Sequence, residues 1–278
     1  MNINIDKTSY AENGYLIFRN FFSDKEMDTI LLDVFKIFSI AFDEEKKNDF
    51  LDLNNINKVE NHLFKLFEID SNQFINLGKQ TQHLISLWRL ASSKKIEDLL
   101  RGLDLEFPNF SVRPSMFFNS KHLDKIGHYW KLGDHQDWRS SQGSLDSVTI
   151  WYPYVDCNVN LGALEVIPGS HLNGLYDCSD VDYYSRIKDG LIDESKYVSV
   201  EMNKGDLLIF NSFLVHRSGT NSTNKVRWSS QLRYNNLKDE SFIKRALPNP
   251  YIYKPYDKLI EPGPPSKEEI INYFKGMH

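Results

Sequence analysis

The chain has 278 residues, 41% hydrophobic and 26% charged, with a formal net charge of −5. This is globular composition with enough apolar side chain for a sizeable core, and the acidic balance argues against a dedicated nucleic-acid binder, which needs a basic face. Two cysteines form no disulfide framework or zinc pattern, the first residues carry Asp6 and no apolar leader, and no apolar run is long enough for a membrane span, so the expectation is a cytoplasmic protein whose partners are small molecules, without nucleic acid or membrane.

Residues 15–18 (YLIF) follow Gly14 and predict a first strand. Ser23-Asp24-Lys25-Glu26 is a capping-box pattern. Behind it Met27, Ile30, Leu31, Val34, Phe35 and Phe38 recur at helical spacing, which predicts a helix over 24–41 with one buried face. Residues 43–55 are mostly polar and read as a loop. Helical spacing returns at Val59, Leu63, Leu66 and Phe67, then at Phe74, Leu77, Leu84, Leu87 and Trp88, and again at Ile96, Leu99 and Leu100. Residues 1–107 are thus mainly helical. From Pro108 the pattern changes to short runs rich in β-branched and aromatic residues. Strands are predicted at 110–113, 115–118, 147–155, 162–167, 197–202, 207–210 and 226–234, separated by turns such as Pro168-Gly169-Ser170 and Lys204-Gly205-Asp206. Residues 238–278 form a C-terminal extension with two proline clusters and a last helix from near Ser266. The expectation is one domain over 1–278 of the α+β class. Its β core, over 108–237, is a double-sheet jelly roll with mostly N-terminal helices packed on one face.

His135 and Asp137 are two residues apart. On an extended chain such positions face the same way, so an imidazole and a carboxylate can reach one point. With a second imidazole they would complete a 2-His-1-carboxylate triad, which holds non-haem Fe(II) and leaves the opposite positions open. The plain alternative is a surface turn, because a chain with 8 histidines and many aspartates contains chance pairs. His216 follows an apolar strand. Alone it would read as a structural histidine, but a jelly roll can bring it back beside the earlier pair. Arg227 follows on the last strand, where it shares a face with Ser229, Gln231 and Arg233. An inward guanidinium in a β core needs an anion, and its fork suits a carboxylate. An outward one would pair with a surface aspartate.

The order His135-x-Asp137, Trp151, the run 162–171 (GALEVIPGSH), Gly205-Asp206, His216-x-Ser218 and Arg227 resembles the phytanoyl-CoA dioxygenase family. This is a branch of the Fe(II)- and 2-oxoglutarate-dependent oxygenases. The opening GYLIFRNFFSDKEM is similar to that family's N-terminal strand and capped helix, and the resemblance covers residues 11–235. It implies a double-stranded β-helix, the jelly-roll variant of cupin-like proteins. It also implies that His135, Asp137 and His216 bind Fe(II) and form the catalytic centre. Arg227 would hold the distal carboxylate of 2-oxoglutarate with help from Ser218, and Trp151 would line the cosubstrate pocket. Ser229 is a second candidate for that carboxylate. His171, in the PGSH turn, is read as structural.

Related halogenases lack the carboxylate ligand, so Asp137 favours hydroxylation or another oxidation over halogenation. The implied reaction uses O2 to hydroxylate a C–H bond of a small polar metabolite, with 2-oxoglutarate decarboxylated to succinate and CO2. Substrate candidates are Trp138 and Arg139, beside the metal motif, and Arg113, Gln231 and Arg233 inside the barrel. His128, Tyr129 and Trp130 are candidates for a lid. Two other readings stand beside this one. A cupin-like non-oxidative metal isomerase or epimerase would have no need of the arginine clamp. A non-catalytic small-molecule-binding protein would have no need of an intact His/Asp/His set.

Overall fold

The computed structural model describes residues 3–123, 131–141, 143–179, 186–240 and 242. The lid candidates His128, Tyr129 and Trp130 and the helix expected near Ser266 lie outside the described residues. The chain begins with α1 (Lys7–Asn13), capped by the Asp6 carboxylate on the Ser9 N–H and closed by Gly14 at φ 81°. A first strand, β1 (Tyr15–Phe18), follows as predicted. The capping box then forms in full. Ser23 Oγ accepts from the Glu26 N–H, and the Glu26 carboxylate accepts from the Ser23 N–H at 2.7 Å. It opens α2 (Asp24–Ser39), whose six periodic apolar residues are all buried.

Residues 43–55 depart from the loop reading. Asp43 caps a one-turn α3 (Glu44–Lys47), and two 3-10 turns follow at Asn48–Leu51 and Leu53–Asn55. One buried side chain anchors this polar stretch: Phe50 packs against Phe35 and Phe42 with ring centroids 6.4 and 5.1 Å away. The helical layer continues through α4 (Ile56–Ile69), α5 (Ser71–Gln80), α6 (Ile85–Ala91) and α7 (Lys94–Gly102).

The strands that follow are β2 (Pro108–Phe110), β3 (Ser115–Asn119), β4 (Val148–Pro153), β5 (Leu164–Val166), β6 (Val198–Val200), β7 (Leu207–Asn211), β8 (His216–Ser218) and β9 (Arg227–Asn236), with a short α8 (Trp138–Ser141) before β4. They form two antiparallel sheets. The larger runs β1-β7-β4-β9-β2, with β3 also paired to β9, and the smaller runs β6-β5-β8. Together with the helices they give the expected α+β, jelly-roll architecture.

Alternation along the two central strands decides which side chains reach the site. On β4 and β9, Ile150, Tyr152, Trp228, Leu232 and Tyr234 join Val34, Phe35, Leu63 and Phe74 in a core shared by the helices and the large sheet. Trp228 makes edge contacts with Phe35 and Phe118 at 5.4 and 5.3 Å, and its Nε1–H donates to the buried Glu60. The opposite face of β4 carries Thr149 and Trp151. It pairs in register with Arg233 and Gln231, and Pro153 pairs with Ser229. That face looks toward the small sheet, where Trp151, Leu164, Val166, Leu208 and Phe210 form a second core. Every residue of β4 is buried, so the sequence shows no polar alternation there. Asp206 ties β1 to the entry of β7 by accepting from Arg19 at 2.6 Å and from the Asn20 and Asn203 N–H groups at 2.8 Å. Among the described residues no helix is long and apolar enough to cross a membrane.

Candidate metal and cosubstrate site

His135 and His216 meet in an isolated antiparallel bridge, each N–H donating to the other's carbonyl at 3.0 and 3.1 Å. Each imidazole Nδ1 is turned back on its own segment, 2.7 Å from the Gly133 carbonyl for His135 and 3.0 Å from Leu214 for His216. With Nδ1 as the donor, each Nε2 presents a lone pair inward. The two Nε2 atoms lie 3.7 and 3.9 Å from Asp137 Oδ1. These distances are too long for hydrogen bonds and suit three ligands around one ion. The three ligand atoms lie within 4.8 Å of one another, and all three residues are buried. Two neutral imidazoles and one carboxylate form the donor set of a non-haem iron centre, so the residues present fit that metal.

Gln136, between the two ligands, points the other way. Its Nε2 donates to the carbonyls of Gly174 and Phe213 at 2.7 and 2.6 Å, and its Oε1 accepts from the Tyr176 N–H. A buried amide with all these bonds made fixes the motif from behind. Asp137 is fixed from the front. Thr149 Oγ1 and Gln231 Nε2 donate to Oδ2 at 2.7 and 2.9 Å, while Arg233 donates to Oδ1 at 2.8 Å. Burial raises the Asp137 carboxyl, but Arg233 and the two imidazoles outweigh it and hold the group well below the usual carboxylate range. Burial pushes the His135 imidazole down to about 3, with His216 adding to the effect and Asp137 opposing it. Burial lowers His216 as well, against Asp137.

Arg227 is 2% exposed. It donates to the Gly162 carbonyl, and its guanidinium carbon lies 5.8 Å from the Trp151 ring centroid. Gly162 sits at φ 82°, and a Cβ there would come within 2.8 Å of the Gly219 carbonyl, so the backbone that accepts from the arginine has no room for a side chain. Burial pushes the guanidinium below its ordinary value. Arg227 Nε and Ser229 Oγ are buried and have no hydrogen-bond partner among the described residues. Two orphaned donors on one strand face fit an anionic guest such as a carboxylate. Ser218, two residues past His216 on β8, is buried, and its Oγ accepts from the Leu132 N–H at 3.3 Å.

The other candidates divide. Gln231 and Arg233 reach the site, but onto Asp137. Trp138 stacks on Phe213 at 5.2 Å and donates to the Gly143 carbonyl, and Arg139 donates to the Tyr176 carbonyl at 2.6 Å, so both brace the motif loop. Arg113 does not take the interior position expected of it. The strand ends at Phe110, three residues earlier than predicted, and Arg113 is exposed and bonded to Gln82 of the helical layer. His171 is structural, as expected. Its Nε2 meets the Ala11 carbonyl at 3.2 Å, and its ring lies where a Cβ on Gly14 would fall, 2.5 Å away. Thr149 and Gln136 are the site residues the sequence reading missed. The available signal for Thr149 was its shared strand face with Trp151.

The family model described as Phytanoyl-CoA dioxygenase (PhyH) matches residues 10–229. Among curated relatives, the Dictyostelium discoideum "Phytanoyl-CoA dioxygenase domain-containing protein 1 homolog" is 25% identical over 255 residues, covering 81% of this chain and 88% of its own. "Phytanoyl-CoA dioxygenase 1" of Oryza sativa subsp. japonica is 25% identical over 278 residues, covering 88% and 95%. Among solved structures the fold is similar to the epimerase SnoN in complex with Fe3+, alpha ketoglutarate and nogalamycin RO. The TM-score is 0.57 at 16% identity, over 83% of this chain and 82% of that one. It is also similar to EctD from S. alaskensis with 2-oxoglutarate and 5-hydroxyectoine, with TM-score 0.52 at 19% identity over 84% and 76%.

Proposed function

The chain belongs to the phytanoyl-CoA dioxygenase family, a branch of the Fe(II)- and 2-oxoglutarate-dependent oxygenases, and on that premise we propose that it hydroxylates a C–H bond of a small polar metabolite. The observation that carries this reading is one strand face. β9 places a buried, incompletely bonded Arg227 and Ser229 alongside Gln231 and Arg233, which hold the carboxylate of the His135/Asp137/His216 cluster.

When bound, iron, 2-oxoglutarate and O2 supply the oxidation, with decarboxylation to succinate and CO2. The chain supplies position. His135 and His216 offer neutral nitrogens. Asp137 offers Oδ1, because Thr149 and Gln231 both engage Oδ2 while Oδ1 receives only Arg233. Arg227 and Ser229 take the far carboxylate of the cosubstrate, with Ser218 as a further hydroxyl and Trp151 as the wall beside the guanidinium. Arg233, 14% exposed next to a carboxylate that is 1% exposed, stands at the rim, where a polar or anionic substrate group would meet it. Trp138 and Arg139 act on the substrate through the loop they brace.

A second reading, epimerisation on the same site, is favoured by SnoN, described as a non-heme alpha ketoglutarate dependent epimerase. Product mass separates the two, since hydroxylation adds one oxygen and epimerisation adds none.

The test is anaerobic loading with Fe(II) and 2-oxoglutarate. A visible metal-to-ligand charge-transfer band is expected, with succinate forming once oxygen is admitted. Absence of both would overturn the reading. Arg227→Ala should weaken 2-oxoglutarate binding about 10–100-fold, the worth of a lost charge-assisted bond, while leaving metal affinity intact. Unchanged cosubstrate affinity would remove Arg227 from the clamp.

A further inference from the structure

The alternation that turns His135 and His216 inward turns their neighbours outward. Extending the antiparallel register of the His135–His216 bridge by one residue sets Asp134 opposite Arg217. The pairing of β5 with β8 sets Glu165 opposite Arg217 on its other side. Arg217 is therefore the middle of a row crossing β5, β8 and the His135 segment, with a carboxylate on either hand. Directly beneath it on the inner face runs His135, His216 and Val166. Arg217 Nε donates to Glu165 at 2.5 Å, and Nη1 reaches Glu194 at 3.2 Å and Asp134 at 3.5 Å. The Tyr197 ring lies 3.9 Å from the guanidinium carbon, and its hydroxyl donates to Asp134 at 2.6 Å. The side chains of Arg217, Glu165 and Asp134 are 24%, 24% and 18% exposed, so water screens the row only in part.

The segment bearing His135 and Asp137 needs such a tie. His135 joins β8 through an isolated bridge, not a continuous ladder, supported by the Leu132 carbonyl on the Ser218 N–H and by the Ile187 N–H on the Asp134 carbonyl. Gln136, Asp137 and Trp138 hold the segment on one side of His135; on the other side the Asp134 carboxylate is held by Tyr197 and Arg217.

We propose that Arg217, with Asp134, Glu165 and Tyr197, is a positioning device for the metal site. It clamps the outer face of β5, β8 and the His135 segment so that the two imidazoles on the inner face keep the spacing one ion requires. Arg217 touches neither metal nor cosubstrate and acts through the strands. The proposal rests on the metal-site reading above and assigns the residues that tune it.

The test uses metal alone. The full-length, metal-free protein is titrated with Co(II) as a spectroscopic stand-in, and affinity and the d–d absorption spectrum are recorded beside the thermal midpoint of the metal-free form. Arg217→Gln should weaken Co(II) binding about tenfold, the low end of what outer partners of ligating histidines are worth, and should change the d–d bands. Arg217→Lys should restore part of the affinity. Tyr197→Phe, which removes one hydroxyl and keeps the ring, should weaken binding about threefold, and it decides the matter if Arg217→Gln does not fold. Wild-type affinity and spectrum in the variants that fold, whatever their midpoints, would overturn the proposal and leave the row as ordinary structural support. If the wild type binds no Co(II), the metal site itself is overturned, and the positioning role falls with it.

Discussion

Asp137 is where the local forces of the site meet. Its carboxylate is buried, which alone would favour the neutral acid, yet the Arg233 guanidinium keeps it ionised. Three side-chain donors reach it from β4 and β9. Thr149 is the cleanest of these to remove, because Thr149→Val keeps the shape and loses only the hydroxyl. That change should weaken metal affinity about 10–100-fold, the range for partners that orient a ligand, with the visible band weakened to match. Equal affinities in a Co(II) titration of the two proteins would mean that Thr149 fills space and does not orient Asp137. At this scale the sequence exposed His135, Asp137 and His216 through spacing and resemblance. It offered Thr149 only as a neighbour of Trp151 on one strand face, and the contact with Asp137 depends on β4 and the motif loop meeting.

Among the elements, α2 shows how local rules suffice when an element's partners lie within a few residues. The Ser23–Glu26 box and the six-residue apolar stripe were both readable, and both formed. Ser23→Ala should cost about 1 kcal/mol through the lost cap. Because the cap is remote from the metal ligands, Co(II) affinity should stay at the wild-type value. Chemical denaturation and a metal titration on the same sample check both halves, and a loss of metal affinity would mean the helical layer is coupled to the site more tightly than its packing suggests. Where an element's stability comes from a distant contact, local reading fails. The stretch 43–55 is polar by composition, and only Phe50, seated between Phe35 and Phe42, turns it into helical turns. β8 is three residues long and too short to carry a period. Arg113 was misplaced for a related reason: once the strand stops at Phe110, alternation says nothing about residue 113.

For the whole molecule, the buried histidines make stability depend on pH in a definite direction. His135 stays neutral in the fold down to about 3, against 6.5 for the free side chain, and His216 is shifted the same way. The unfolded chain therefore binds more protons over that window, and stability of the metal-free protein falls as pH drops below about 6.5. The expected slope is about 1.4 kcal/mol per pH unit for each imidazole held neutral. Asp137 acts later. Its depressed value adds stability above the ordinary carboxylate range, lost only as pH falls below it. Denaturant unfolding of the metal-free form at about pH 7 and about pH 5 measures the slope. A flat profile would mean that the imidazoles take up protons inside the fold.

By itself the sequence determined the α+β class, the capped helix, the shared face of Arg227, Ser229, Gln231 and Arg233 and the family pattern. Each of these is set by periodicity, capping or spacing within one segment, and such terms act between near neighbours along the chain. The tertiary structure alone decided which distant side chains serve the site. Gln231 and Arg233 reach Asp137 across 94 and 96 residues, and Arg217 reaches Asp134 across 83. Those contacts follow from strand order and register, which emerge only when two sheets bury their facing side chains together. His135 and Asp137 could thus be singled out as candidate ligands from spacing and resemblance, but what holds them in place could not.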